Sequence, residues 1–248
     1  MILWIRYVLG FVLLPLVAVM GRRARKTIQV LPEADGTRVG IVGEGEPKVR
    51  IVCLGESPIA GVGLVDQKEN LALAFAQCLN ERTNDVVEWH ICGKSGIKMD
   101  ELIVAFDDKM PVGTTIVFVA MGVNDCKGFT AMSHWRARWV ELHTHLRKRC
   151  PNALLLFSAV PPLSSFPSLP WSVRVFLGFR GDLMNDILRR LTVELDSETR
   201  FLPLPDILAP EYFAVDGFHP NAKAHKAWGV GLCDAVLAHR SKGGDLKG

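Results

Sequence analysis

Residues 51–63 read IVCLGESPIAGVG, and this stretch starts as a strand and ends as something else. Apolar, β-type residues run from Ile51 into Gly55. Glu56-Ser57-Pro58 follows, then a small-residue segment with glycines at 61 and 63. A serine where a buried strand stops is either a turn residue or a nucleophile. Outward from it, apolar strand patterns recur at 49–54, 86–91, 114–121, 153–159 and 200–204. Helical patterns lie between them near 68–81, 97–107, 131–149 and 181–198, with a last helix from about 221 to 238. Such alternation predicts an α/β/α three-layer fold around a mostly parallel, five-stranded sheet covered on both faces. The 114–121 run, TTIVFVAM, is apolar enough to be its central strand.

The chain has 248 residues, 49% hydrophobic and 22% charged, which is a globular composition with room for one large domain. Its formal charge of +3 comes from one end. Arg6, Arg22, Arg23, Arg25 and Lys26 precede every acid, so residues 27–248 hold 24 of the 29 basic groups and all 26 acidic ones. A nucleic-acid-binding body therefore has no electrostatic footprint. The six cysteines are scattered without ligand spacing, so no metal site is expected, and they read as small core residues of a reducing compartment.

Residues 1–21 are apolar except for Arg6, and RRARK follows. The uncharged run from Tyr7 to Gly21 spans about 22 Å as helix, short of a hydrocarbon core of about 30 Å unless Met1–Ile5 joins it and Arg6 snorkels. Charges after the apolar run, and no A-x-A site, favour a retained membrane anchor over a cleaved signal peptide or a soluble packing helix. The basic cluster then holds the body on the cytoplasmic side. The expected organisation is an anchor with basic flank over 1–26, a hairpin and linker over 27–48 (KTIQVLP, EADGT, RVGIVG), one domain over 49–240 and a polar tail over 241–248. All core elements are expected after the anchor.

In open parallel sheets ligands bind beyond the carboxyl ends of the strands. The segments that follow the strands carry Ser57 in GESP, Ser95 and Gly96 in CGKSG, Asn124 and Asp125 in GVNDC, and Asp216 and His219 in DGFHP. Singly each has an ordinary reading as a turn, a helix cap or the start of the last helix. Together they hold the parts of acyl transfer. A serine hydroxyl needs a base, neutral imidazole suits that task, and the imidazole needs an orienting acceptor. The N–H groups of Ser57 and Gly96 and the amide of Asn124 are donors for an oxyanion, each worth about 3 kcal/mol. Asp125 is read as a brace for its own loop, and the remaining histidines as structural.

Four blocks in this order, GESP, KSG, GVND and DGFHP, resemble the SGNH hydrolases, the GDSL esterase/lipase family, over residues 49–238. The resemblance implies a flavodoxin-like α/β fold, Ser57, Asp216 and His219 as catalytic residues, and Ser57, Gly96 and Asn124 as the oxyanion hole. It also implies no metal or organic cofactor. The departure is GES where the family has GDS, which touches local geometry more than the nucleophile. The Pro161–Asp182 segment, rich in aromatics and carrying Arg174 and Arg180, reads either as a buried connection or as an apolar flap. As a flap it would bind an acyl chain, through Leu163, Phe166, Trp171 and Phe176, or touch the membrane surface. The resulting expectation is a membrane-anchored serine esterase acting on a lipid or other hydrophobic acyl ester. Its competitors are a carbohydrate or cell-envelope deacetylase and a catalytically silent binding protein.

Overall fold

The computed structural model describes residues 2–241; within the expected polar tail, residues 242–248 lie outside the described residues. An N-terminal helical stretch comprises α1 (Ile2–Gly10), a 3-10 turn (Phe11–Leu13) and α2 (Leu14–Thr27). The body follows as β1 (Val39–Val42), β2 (Val49–Gly55), α3 (Ser57–Ala60), α4 (Leu71–Thr83), β3 (Val87–Gly93) and α5 (Met99–Phe106). It continues with β4 (Ile116–Ala120), α6 (Val123–Lys127), α7 (Met132–Arg149), β5 (Leu154–Ser158), α8 (Trp171–Glu194), β6 (Thr199–Leu202) and α9 (Ala222–Arg240). The sheet order is β1-β3-β2-β4-β5-β6, parallel throughout except for β1.

Side chains alternate across a strand, and the core divides accordingly. Val52, Leu54, Val117, Val119, Leu155 and Phe157 face one layer, built from α5, α7 and α8. Ile51, Cys53, Ile116, Phe118, Leu154 and Leu156 face the other, built from α4 and α9. The six cysteines are free, five of them buried in this packing.

Three expectations need correction. The sheet has six strands instead of five, because β1 adds an antiparallel edge beside β3. The expected hairpin over 27–48 does not form. Its first arm is partly consumed by α2, which runs to Thr27, and residues 28–38 cross the surface as irregular chain tied by polar contacts. Within them Glu33 pairs with Arg38 at 2.7 Å and accepts the N–H of Ser95 at 2.7 Å. The core also reaches further back than expected, since buried Tyr7 and Val17 belong to the larger apolar cluster and α1 and α2 pack along α8.

The 161–182 segment is the fourth difference. α8 begins at Trp171, ten residues before the expected start, immediately after Pro170, which stands at its N-cap. Gly178, inside this helix, marks a close approach. A Cβ there would meet the Ser164 Cβ at 3.0 Å.

Candidate active site

The registers of β2, β3 and β4 place Gly55 level with Gly93 and Ala120, so the segments that follow share one rim. Ser57 opens α3, with Glu56 at the N-cap and Pro58 in the first turn, where a missing N–H costs nothing. The first N–H groups of a helix have no partner inside it, so that of Ser57 points outward from the helix start. Gly93 lets α3 cross the strand end, because a Cβ there would lie 2.3 Å from the Ala60 nitrogen.

Asp216 and His219 come from the loop between β6 and α9. Phe213 and Pro220 form an antiparallel bridge, and the Ala214 N–H donates to the His219 carbonyl at 2.7 Å, which closes the intervening residues into a tight turn. Asn221 secures its base by capping α9 at the Ala224 N–H (3.1 Å) and donating to the Phe213 carbonyl (3.1 Å). Within this turn the Asp216 carboxylate accepts the His219 ring Nδ1 at 2.6 Å and the N–H groups of Phe218 and His219 at 2.9 and 3.0 Å. Burial works to raise the Asp216 pKa, but these hydrogen bonds outweigh it and hold the carboxyl below its ordinary value. The other ring nitrogen, Nε2, lies 3.1 Å from the Ser57 Oγ. Hydroxyl, imidazole and carboxylate, 162 residues apart in sequence at the widest, thus stand in one line.

Gly96 has φ of +79°, a left-handed conformation that glycine adopts without strain, and the space where its Cβ would stand is open. Asn124, in α6, donates one amide hydrogen to the Ile97 carbonyl at 3.1 Å, which sets the amide beside the Gly96 loop with its second hydrogen uncommitted by that bond. All five residues expected at the chemistry therefore share one rim.

Glu56 is a residue whose part the sequence reading missed. It is buried, and its carboxylate accepts the N–H groups of Val123 and Asn124 at 2.7 and 2.9 Å, so the residue before Ser57 holds the start of the segment bearing Asn124. The signal was the extra methylene of GES over GDS. Burial pushes the Glu56 carboxyl up to about 7, against the lowering effect of the two N–H groups and Lys127. Asp125 braces a neighbouring join, accepting the Met99 N–H at 3.1 Å and the Thr130 hydroxyl at 2.8 Å.

The expected substrate residues separate. Phe166 lines a small apolar cavity of about 60 Å³ that also touches Ser57 and His219. Leu163 and Phe176 are fully buried core residues and line no cavity described here, and Trp171 is 57% exposed at the start of α8. The segment is mostly helix, which turns Phe176 against Tyr7 and Phe11 and leaves Leu163 in the core, away from the Ser57 cavity. Five other histidines pair with carboxylates: His90 with Glu88, His134 with Asp100, His143 with Asp196, His145 with Asp107 and His239 with Glu198. Buried His225 accepts the Leu71 N–H at 3.2 Å, and burial drives its pKa down to about 3. Among the described residues, no group of three or more His, Cys, Asp or Glu side chains is placed to hold a metal ion.

Known proteins with this architecture include a carbohydrate esterase family 2 enzyme of Corynascus thermopiles (Myceliophthora fergusii), at TM-score 0.63 and 16% identity. The match covers 81% of this chain and 69% of that one. The lipase Lip_vut3 from a goat rumen metagenome matches at TM-score 0.61 and 17% identity, covering 76% and 97%. Est24, a carbohydrate acetylesterase from Sinorhizobium meliloti, matches at 0.58 and 18%, covering 77% and 99%. At such identities the likeness is one of fold. No curated protein sequence matches the chain. The sequence pattern of the GDSL-like Lipase/Acylhydrolase family, however, fits residues 53–227, from β2 beyond the His219 turn into α9. This chain belongs to that family, a group of esterase- and lipase-like hydrolases.

Proposed function

We propose that the protein is a serine esterase working through an acyl-enzyme on Ser57. The observation that carries this reading is the continuous line from Ser57 Oγ to His219 Nε2 (3.1 Å) and from His219 Nδ1 to Asp216 (2.6 Å). Ser57 attacks the ester carbonyl while His219 takes its proton. Asp216, kept ionised by its three donors, fixes the ring tautomer and stabilises the imidazolium. Charge that develops on the carbonyl oxygen is met by the N–H groups of Ser57 and Gly96 and the amide of Asn124. His219 then protonates the departing alkoxide, and in the second half-reaction it activates water against the acyl-enzyme. Labelling by a fluorophosphonate tests the assignment: wild type should react and Ser57→Ala should not. Equal labelling of both would remove Ser57 from the mechanism.

The substrate reading is an ester with a hydrophobic acyl group, supported by apolar walls around Ser57 that include Met121, Phe166, Leu208 and Phe218. A second reading, removal of a short acyl group from a carbohydrate, is favoured by the small size of that cavity, about 60 Å³. The ratio of kcat/KM for decanoyl and acetyl esters separates the two.

The N-terminal helix, Ile2–Ala24, is apolar and long enough for a membrane anchor or a signal sequence. Our reading is a retained anchor. Because it packs along α8, with Tyr7 and Val17 in the core, it suits a monotopic position, lying in the membrane surface with its outer face in lipid. The basic cluster after it favours the anionic cytoplasmic leaflet.

A further inference from the structure

A second and larger cavity, about 540 Å³, lies between the N-terminal helix and the body. One wall is Leu14, Val17, Ala18 and Gly21 of α2; the opposite wall is Leu169, Val173 and Leu177 at the start of α8. It reaches Phe218 and His219, which also line the small cavity at Ser57. The volume falls within the range of small-molecule sites, about 300–1,000 Å³. Two residues with fixed charge line it, Arg22 and Lys127, both cationic.

The wall made by the N-terminal helix is held in place by built contacts. Arg180, 1% exposed, donates to the Tyr7 hydroxyl at 2.6 Å, to the Cys126 carbonyl at 3.0 Å and to the Thr130 carbonyl. Phe11 meets Phe176 edge-on at 5.8 Å, and the Arg6 guanidinium lies 4.6 Å from the centre of the Phe179 ring. Gly10 allows this approach, since a Cβ there would stand 3.1 Å from Phe176. The outer face of the same helix is apolar and open, with Ile2, Val8, Leu9 and Val12 each more than 60% exposed or at that value.

We propose that this groove seats the acyl chain of an ester lipid drawn from the bilayer, with the N-terminal helix serving as one wall of the substrate site. The inference rests on the Ser57 reading for the position of the ester bond. Three observations choose the occupant. The groove shares Phe218 and His219 with the cavity at Ser57, so a chain lying in it can bring its carboxyl end to Ser57. Its walls are apolar from Leu14 to Gly21 of α2, with Arg22 following at that side. The helix that forms one wall presents its other face as lipid-compatible surface, so a chain leaving the bilayer reaches the groove without crossing water.

The test uses the full chain. Ala18 is exposed within the groove, and Ala18→Phe fills the space from the helix side, while Val12→Phe places the same ring on the outer face. In a Ser57→Ala background, binding of cis-parinaric acid, a fluorescent long-chain fatty acid, should weaken about tenfold or more with Ala18→Phe and stay unchanged with Val12→Phe. Equal binding with and without Ala18→Phe overturns the groove, and this result does not depend on catalysis. With Ser57 intact, the ratio of kcat/KM for decanoyl over acetyl ester should fall by about the same factor in Ala18→Phe. An unchanged ratio also overturns the proposal. Wild type without turnover of either ester, yet binding the fatty acid in the Ala18-dependent way, would sink the Ser57 reading and keep the groove. Turnover of dispersed decanoyl ester with none of the same ester in phosphatidylcholine vesicles overturns the bilayer as the source.

Discussion

The rim at the strand ends and the seam beneath the N-terminal helix are built by different means. The rim is a set of short polar bonds among residues whose types cannot be exchanged: a hydroxyl, an imidazole, carboxylates and an amide. The seam is aromatic and aliphatic packing around one buried guanidinium, where many side chains of similar volume would serve. The first arrangement fails abruptly when one atom is lost. The second is expected to weaken by degrees.

Variants at the rim should show the largest effects. Ser57→Ala and His219→Ala should each reduce kcat by about 10⁴- to 10⁶-fold, and Asp216→Asn by about 10⁴-fold, as judged by steady-state turnover of a soluble ester. Near-normal turnover of purified Ser57→Ala would erase the contrast between the two regions. Asn124→Ala should lower kcat by about 100- to 1,000-fold with little change in KM, because its amide acts on charge that exists only in the transition state. A change confined to KM would make Asn124 a substrate-binding residue instead.

At the seam the expected currency is stability. Tyr7→Phe removes one acceptor from the buried Arg180 and should cost about 1–3 kcal/mol, read as a lower Tm, with turnover of acetyl ester retained. An unaltered Tm would mean that the helix is not fastened through this bond. The last effect is read against pH and belongs to the link beside Ser57. Glu56 is harder to ionise in the folded protein than in the unfolded chain, its pKa standing at about 7 against an ordinary 4.5. The folded state therefore binds the extra proton between those values, and stability falls as pH rises from about 4.5 to about 7. Glu56→Gln should flatten that slope in a Tm-versus-pH series. Asp216 has the opposite sign: its depressed pKa adds stability above the unfolded value, which is lost as pH falls through the folded one.

The same contrast governs what the sequence revealed. Ser57, Asn124 and His219 were legible because their chemistry admits few letters and the β-α alternation put each at a strand end. The parallel strands were legible for a similar reason, being continuous apolar runs bounded by turns. Glu56 was legible only as a departure, since no spacing links it to the N–H groups of Val123 and Asn124, 67 and 68 residues away. The start of α8 was hidden because residues 171–180 are apolar nearly all round, which leaves no polar face to mark a helical period. The docking of α1 was legible only as an alternative to a membrane anchor. An apolar helix that packs on a body and one that enters lipid are written with the same residues, and what distinguishes them in space are partners as distant as Arg180, 173 positions from Tyr7.

That separation bears on how the chain is made. The N-terminal helix is made before α8, and Arg180 follows Tyr7 by about 10 to 35 seconds at ordinary rates of synthesis. During this interval an apolar helix has no protein surface to cover it, and a bilayer is the alternative solvent. Nascent chains that meet a membrane promptly would keep α1 sequestered until α8 emerges to receive it. Those that do not would carry an exposed apolar segment through most of translation, so the yield of folded protein should depend on membrane supply during synthesis.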